Sequence, residues 1–424
     1  MPLERPRVFD ILNICIDYHD WLLPTICVCR EQSHYFPAKP MKSHSFDQRL
    51  IAEPKTYRPR PASGFTPSRI VLAKGSDAPE SRRWMIEAII AAYPQAQVVE
   101  AFDTPHNRIP LGDLDALSLH YEGKRTLVLA EHNSAARQST EEGNTCPNYW
   151  HFSPYGFCPF GCSYCYLAGT QGVRFSPTVK IFLNLPEILA EVDRVARRLG
   201  EPTAFYLGKL QDGLALDPIT GYSREIISFF ARHSLARLTL LTKSADVSNL
   251  LDLDHRGHSI LSWTVNPQVA VEAFEPNTPS LEDRIRAMEA CAKAGYPLRA
   301  VVMPIIPTTD WEAIYGEFLT ELLSRVHLSR ITLGSICSYP QAIRLTEQKL
   351  GPHNLISTHL DKRRNLADGR ARFPSNLRER GYRHLLSTIR KIDPKLEVGL
   401  CLEESSMFDA LELSASLGRC NCVL

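Results

Sequence analysis

Charge imbalance is what this chain most plainly lacks: 48 Lys and Arg stand against 47 Asp and Glu, a formal net charge of +1. Bulk electrostatics therefore demand no nucleic acid as partner. No apolar run reaches membrane-spanning length, so no membrane partner is expected. The N-terminus has no basic stretch leading into an apolar core, which argues against a secretory leader. Internal repeats and low-complexity tracts are absent too. What remains has the mean hydropathy of an ordinary globule, −0.18. At 424 residues it suits one large domain with attachments. Its 12 cysteines are clustered rather than spread as a secreted disulfide framework. Such clusters read as metal-binding or catalytic, and the expected compartment is a reducing cytoplasm.

The densest cluster is Phe-Cys-Pro-Phe-Gly-Cys-Ser-Tyr-Cys-Tyr, with Cys158, Cys162 and Cys165 in C-x3-C-x2-C spacing. Three thiolates this close suit a [4Fe–4S] cube. Four irons on three cysteines leave one iron open, and an open position is where a metal site does chemistry. The fitting guest is S-adenosylmethionine, held through its amino and carboxylate groups. Zinc stays open by spacing, because Cys146 and His151 are near enough to serve as a fourth ligand. Tyr164 and Tyr166 flank the last cysteine and are expected to shield the cluster.

Residues 1–66 read as a poorly defined extension with Cys15, Cys27, Cys29, a Pro-rich stretch and an alternative start at Met41. Residues 67–145 read as a small α/β unit, with strands near 70–73, 97–100 and 126–130 and a helix over 82–92. From 146 to 402 short apolar strands alternate with amphipathic helices. Strands are expected near 149–153, 204–207, 238–242, 260–265, 298–303 and 331–334. Helices are expected over 185–199, 224–234, 280–294 and 311–326. This alternation implies a parallel sheet with crossover helices, about six βα units closing into a partial barrel. Chemistry in such barrels collects at the carboxyl ends of the strands, where the cluster loop falls. Residues 403–424 form a tail, helix-like over 405–417.

The cysteine motif, continued by Tyr166-Leu, joins several further runs: Phe274-Glu-Pro-Asn-Thr-Pro-Ser, Asp283-Arg, Ala292-Lys-Ala-Gly-Tyr and Met303-Pro-Ile with Trp311-Glu. In these the chain resembles the radical S-adenosylmethionine superfamily, and within it the spore photoproduct lyase family, from about residue 70 to 402. The fold implied is an α/β partial (β/α)6 barrel of radical SAM type preceded by a small α/β unit. The resemblance implies that Cys158, Cys162 and Cys165 hold the cluster. It implies that Lys243, Asn266, Asp212 and Tyr164 serve S-adenosylmethionine. An external electron donor such as flavodoxin or ferredoxin is implied as well. A Lys or Asn at a strand end is otherwise a solvated charge or a turn former.

Two departures stand out. The family has a cysteine two strands after the cluster loop that returns a hydrogen atom to the product radical. Here Lys209 stands at that place, and no Cys lies between Cys165 and Cys291. Lys has no weak S–H bond, which argues against photoproduct repair as the main function. Lys209 and Tyr166 are nonetheless counted among the catalytic candidates, a tyrosine being another hydrogen source.

The second departure is the ending Gly418-Arg-Cys-Asn-Cys-Val-Leu. Cys420, Cys422 and Cys401 are expected to meet if the tail folds back. Soft thiols select soft partners: trivalent arsenic, zinc, a second cluster or a redox disulfide. The alternative is a core Cys401 and a frayed, inert terminal pair. Cys422 is third from the end, so this is not a prenylation box.

The resulting expectation is an enzyme that cleaves S-adenosylmethionine reductively and acts on a small-molecule or thiophilic substrate. Carbon–arsenic bond formation is one version. The alternatives are a DNA repair lyase acting on spore photoproduct and a non-catalytic iron–sulfur DNA-binding protein. A nucleic-acid partner would find a basic segment at 362–383.

Overall fold

The computed structural model describes residues 57–77, 80–141, 143–361 and 368–424. Cys15, Cys27, Cys29 and Met41 lie outside the described residues. Among the described residues no helix is long and apolar enough to cross a membrane.

Two parallel sheets carry the chain. β1 (Arg69–Ala73) lies between β2 (Gln97–Ala101) and β3 (Thr126–Ala130), parallel to both. Next come β4 (Ala136–Ser139), β5 (Tyr149–Phe152), β6 (Tyr155–Gly156) and β7 (Val179–Phe182). β7 pairs with β3 and then with β6, so the smaller sheet runs β2-β1-β3-β7-β6. The small unit thus shares its sheet with strands on both sides of the cluster loop. β3 and β7 are buried throughout, which explains their unbroken apolar reading.

The larger sheet continues through β8 (Thr203–Leu207), β9 (Ala236–Thr242), β10 (Ser259–Thr264), β11 (Leu298–Ile305) and β12 (Arg330–Ser335). β13 (Cys337–Ser338) and β14 (Ala371–Arg372) form a separate antiparallel pair. β15 (Glu397–Leu400) completes the sheet, whose order is β4-β5-β8-β9-β10-β11-β12-β15. All neighbours are parallel except β4 and β5. Its outer strands do not pair, so the sheet is a partial barrel of radical SAM type. β15 adds one parallel strand to the six expected. Across the gap the segments nearly touch: Thr145 N–H and its hydroxyl both donate to the Glu403 carbonyl at 3.0 Å.

Helices cover the outside for ordinary reasons. In Leu185–Leu199 the buried residues Leu185, Ile188, Leu189, Val192 and Ala196 recur on one face, and Gly200 ends the helix at φ +74°. The helix expected over 405–417 is two pieces, Ser405–Ala410 and a 3-10 turn at Ser414–Ser416. Glu412 between them sits at φ +58°, which no α-helix accommodates.

The tail is not frayed. Ser262, Arg299, Arg330 and Glu397 are register partners across β10, β11, β12 and β15, and so form one layer. The tail binds to that layer. Ser262 Oγ donates to Asn421 Oδ1 at 2.7 Å. Arg330 Nη1 donates to the carbonyls of Cys420 at 2.7 Å and Val423 at 3.2 Å. Arg299 Nη1 donates to Val423 O at 2.5 Å. Both arginines are buried, and their donors are satisfied largely by tail carbonyls. Two residues along each strand, Thr264, Val301 and Thr332 form the next layer and line the cavity described below. The tail is therefore a plug whose upper side is the cavity floor.

Gly399 marks the contact, because a Cβ there would strike the backbone carbonyl of Arg419. Gly399→Ala is expected to push the tail out, cost about 1–3 kcal/mol by overpacking, and open the backbone after Arg419 to limited trypsin digestion. Urea denaturation together with timed digestion measures both. An unchanged midpoint and an unchanged digestion rate refute the plug.

Candidate functional site: a cavity lined with thiols

Eight of the nine described cysteines line one cavity of about 390 Å³ at the carboxyl ends of the larger sheet's strands. A larger recess of about 690 Å³ lies behind the cluster loop, but no cysteine lines it. The chemistry-bearing residues belong to the smaller space.

The cluster loop is held by its backbone. Gly161 N–H donates to Pro276 O at 3.0 Å, and Ser163 N–H donates to Phe274 O at 2.8 Å. Gly161 leaves room for that approach, since a Cβ would come within 2.9 Å of the Pro276 oxygen. Lys124 Nζ donates to the carbonyls of Cys158 and, at 2.7 Å, Phe160. These bonds turn Cys158, Cys162 and Cys165 onto one wall. Burial pushes the Cys158 thiol up, and pushes Cys162 up to about 11 against the pull of Lys243. The Cys158 thiol also feels the charges of the neighbouring Cys162 and Cys165 sulfurs, which raise it further. Three thiols converging on shared space, beside a half-buried cation, fit the donor set of a [4Fe–4S] cube with one iron left open.

Glu275 knots the residues beneath this loop. Its carboxylate accepts from Arg284 Nη2 at 2.6 Å, from Asn266 Nδ2 at 3.4 Å and from Tyr164 OH. Burial opposes its charge, but Lys243 and Arg284 hold its pKa below the usual range. Lys243 is half-buried, with Nζ 5.8 Å from the Tyr164 ring centre. Burial lowers its pKa, and Glu275 with the Cys162 sulfur more than offsets that. Lys243 and Tyr164 line the cavity beside the cysteines.

Asp212 lines it too, but its oxygens are engaged. Oδ1 accepts from Leu214 N–H, Ala215 N–H and, at 2.6 Å, Thr242 Oγ1; Oδ2 accepts from Lys243 N–H at 2.7 Å. It clasps the loop after β8 to the end of β9. Asn266 is not on the cavity wall; it sits behind Glu275, fully buried, accepting from Tyr315 OH at 3.3 Å.

Lys209 projects from the loop after β8 and donates to Glu141 Oε1 at 2.5 Å, Tyr149 OH at 2.9 Å and Ser139. Its carbonyl accepts from Tyr166 OH at 2.8 Å. On the far side Glu141 Oε2 accepts from Arg370 Nη2 at 2.8 Å. This Lys209–Glu141–Arg370 bridge crosses the cavity rim. Part of the basic segment is engaged inside the protein in the same way, while Arg380 and Arg383 of that segment are exposed. Arg370 and Arg372 are buried against Glu141 and Asp368, and Arg378 is buried against Glu403.

The tail thiols face the same space. Cys401 follows β15, with its N–H donating to Leu333 O at 2.8 Å. Cys420 and Cys422 line it from the tail, and Cys146 and Cys337 from the strands' side. Sequence reading grouped Cys146 only with the cluster loop, because the tail thiols that share its cavity lie more than 250 residues away. His151, the other candidate fourth ligand, is not on the wall; burial pushes its pKa down to about 4. Glu275, Glu141 and Arg370 were missed as well. Glu275 lay inside a quoted family run, and that was the available signal.

The family model for spore photoproduct lyase matches residues 84–336. Spore photoproduct lyase of Bacillus subtilis is 30% identical over 222 residues, covering 52% of this chain and 63% of the relative. That of a Geobacillus species is 31% identical over 235 residues, covering 54% and 67%. The match to the Bacillus subtilis relative thus spans somewhat under two thirds of that protein's length. A solved spore photoproduct lyase complexed with dinucleoside spore photoproduct superimposes with a TM-score of 0.69 at 23% identity, covering 80% of this chain and all of that one. A mutant lyase with bound AdoMet and dinucleoside spore photoproduct gives 0.68 at 23% identity, covering 79% and 98%. At that identity the structural likeness is one of fold.

The rim bridge makes a pH prediction. Burial raises the Glu141 pKa, but Lys209 and then Arg370 bring it below the ordinary carboxylate value of about 4.3. A depressed folded-state pKa means that the stabilisation is complete above that ordinary value. It is lost as pH falls through the folded-state value. Glu141→Gln is expected to cost about 3–5 kcal/mol at neutral pH, because it strands two enclosed cations, and to flatten the acid limb. Urea midpoints of both proteins from pH 7 to 3 decide it; parallel pH curves refute the bridge.

Proposed function

The chain belongs to the spore photoproduct lyase family, and we propose that its radical S-adenosylmethionine chemistry runs in the thiol-lined cavity. The observation that carries this is the convergence of Cys158, Cys162 and Cys165 on one enclosed space at the strand ends. Cys158, Cys162 and Cys165 would hold a [4Fe–4S] cluster, and such a cluster, with a small external electron donor such as flavodoxin or ferredoxin, would supply the one-electron reductive chemistry that S-adenosylmethionine cleavage needs. The chain's own residues orient the reactants and exclude water. Lys243 offers its ammonium to the methionine carboxylate. Tyr164, fixed by Glu275, walls the space. Asp212 keeps the floor of the S-adenosylmethionine site in register without touching the reaction. The protein works in the cytoplasm, where thiols stay reduced.

For the substrate we propose first a dinucleoside lesion of the spore photoproduct kind, on which the solved relatives are captured. The family match spans the cluster loop, Lys209, Asp212, Lys243 and Glu275, which supports this reading over one built on the tail alone. It requires a hydrogen source other than residue 209, since the Lys209 ammonium is tied into the rim bridge. The cavity's remaining thiols and Tyr166 are the groups available. One observation favours a second reading, a thiophilic small molecule as in carbon–arsenic bond formation: Cys401, Cys420 and Cys422 line the same cavity as the cluster cysteines.

Anaerobic reconstitution tests both. Wild-type protein with dithionite, S-adenosylmethionine and the dinucleoside photoproduct is expected to release 5′-deoxyadenosine and thymidine units, followed by chromatography and mass analysis. Cys162→Ala is expected to lose the brown chromophore and all cleavage, because two thiols do not hold the cube. Full turnover by that variant overturns the radical reading. Cleavage of S-adenosylmethionine without any thymidine overturns the first substrate and leaves the second.

A further inference from the structure

Lys124 is a cation that no acid answers. It ends the helix Ala116–Lys124, in the small unit that precedes the cluster loop. Among the described residues no carboxylate pairs with it; its ammonium donates instead to the carbonyls of Cys158 and, at 2.7 Å, Phe160. The same Nζ lies 3.8 Å from the ring centre of Phe157. One cation thus engages the loop on both sides of its first cysteine.

The arrangement is held from both ends. A Cβ on Gly123 would strike the Pro177 carbonyl, so the last turn of the helix is packed tightly against the segment leading into β7. Thr126 Oγ1 donates to Glu122 O at 3.0 Å and closes the turn that follows. On the loop side Phe157 sits at φ +60°, a left-handed conformation that is uncommon for an aromatic residue. Its ring is buried with Leu167 and Val173 against Cys158 and Cys165. The His120 ring meets it edge-on at 5.8 Å, and Lys349 Nζ donates to His120 Nε2 at 2.9 Å. Lys124 lines neither of the two cavities described above, so it is not placed to touch a substrate. What its ammonium touches is the cluster loop.

Carbonyl oxygens and a ring face carry no net charge, so they hold the ammonium without cancelling it. Half-buried, that charge acts on its surroundings more strongly than it would in bulk water. A cluster on three thiolates gains one negative charge on reduction, and local charge and hydrogen bonding set its potential. We propose that Lys124 is a positioning residue for the radical chemistry: it fixes the start of the cluster loop and lends a positive charge that favours the reduced cluster. The inference rests on the reading that Cys158, Cys162 and Cys165 hold a [4Fe–4S] cluster, and the one electron comes from the external donor named above.

The test compares full-length chains reconstituted anaerobically, without substrate. Lys124→Gln keeps a donor and removes the charge, Lys124→Met removes both, and Lys124→Arg keeps both. Iron and sulfide content and thermal unfolding establish that each chain is loaded and folded. The midpoint potential of the cluster is then read from the electron paramagnetic resonance of its reduced form along a redox titration. The Gln and Met chains are expected to be harder to reduce. At a fixed solution potential their ratio of reduced to oxidised cluster should fall about tenfold, which is 59 mV for a one-electron couple. The Arg chain should match wild type. Folded Gln and Met chains that take up no cluster, with uptake recovered in the Arg chain, also support the positioning role. If the neutral chains do not fold, the Arg chain decides alone: a wild-type potential supports the proposal and a displaced one overturns it. An unchanged potential in a loaded Gln chain overturns it, as does a shift or a loss of uptake that Arg does not reverse. A wild-type chain that takes up no cluster overturns the cluster reading, and this inference with it.

Discussion

The buried pair of Glu275 and Arg284 is the interaction on which the site depends. Both side chains are fully enclosed, and a lone charge there would cost several kcal/mol. The pair is acceptable only because its remaining donors and acceptors are used: Arg284 also donates to Thr264 O and Thr278 Oγ1, and Glu275 accepts from Tyr164 and Asn266. The backbone on either side of Glu275 offers carbonyls to the cluster loop. One ion pair thereby fixes where β10 ends, how the cluster loop lies and where Lys243 points its charge. Its worth is in specifying one geometry rather than in net stability.

A second pair of buried cations does the same at the other end of the barrel. Arg299 and Arg330 are neighbours in one layer, and burial, with Arg330 repelling it, brings Arg299 down to about 10. Glu397 answers only Arg330 directly. Arg299 Nη1 and both Arg330 Nη groups turn to tail carbonyls, while Arg299 Nε is left without a partner, so the tail compensates most of the charge that the strands alone leave in low dielectric. This explains how a barrel interior of parallel strands accepts a polar tail instead of more side chains, and how two cysteines come to rest under the cavity.

The parallel sheet was legible because its strands are buried on both faces and its helices carry clean apolar stripes. Cys158, Cys162 and Cys165 were legible because their spacing is local. Nothing local marks Cys146 as a neighbour of Cys420, or Glu141 as the partner of both Lys209 and Arg370. Those pairings are made by strand order and by the seam between 145 and 403, which no periodicity reports. Asn266 shows the converse: a plausible strand-end position, but one whose amide is already spent on Glu275 and Tyr315. The basic segment makes the same point, since charge counted along a chain does not reveal that Arg370, Arg372 and Arg378 face inward while Arg380 and Arg383 are exposed.

These two anchored ends define what the cavity can do between them. Its upper wall is a cluster loop immobilised by a buried ion pair; its floor is a tail immobilised by buried arginines. A substrate bound there meets sulfur on both sides, within walls that neither end can shift without stranding a charge. Position 209 matters in that frame. A thiol on the β8 loop would sit at the rim, whereas Lys209 gives the rim a cation that pairs with Glu141, whose other oxygen pairs with Arg370. The mouth thus carries a charge bridge, and the cavity's thiols other than the cluster cysteines come from residues 146, 337, 401, 420 and 422, far from the mouth in sequence but joined to the same space by strand order and by the seated tail.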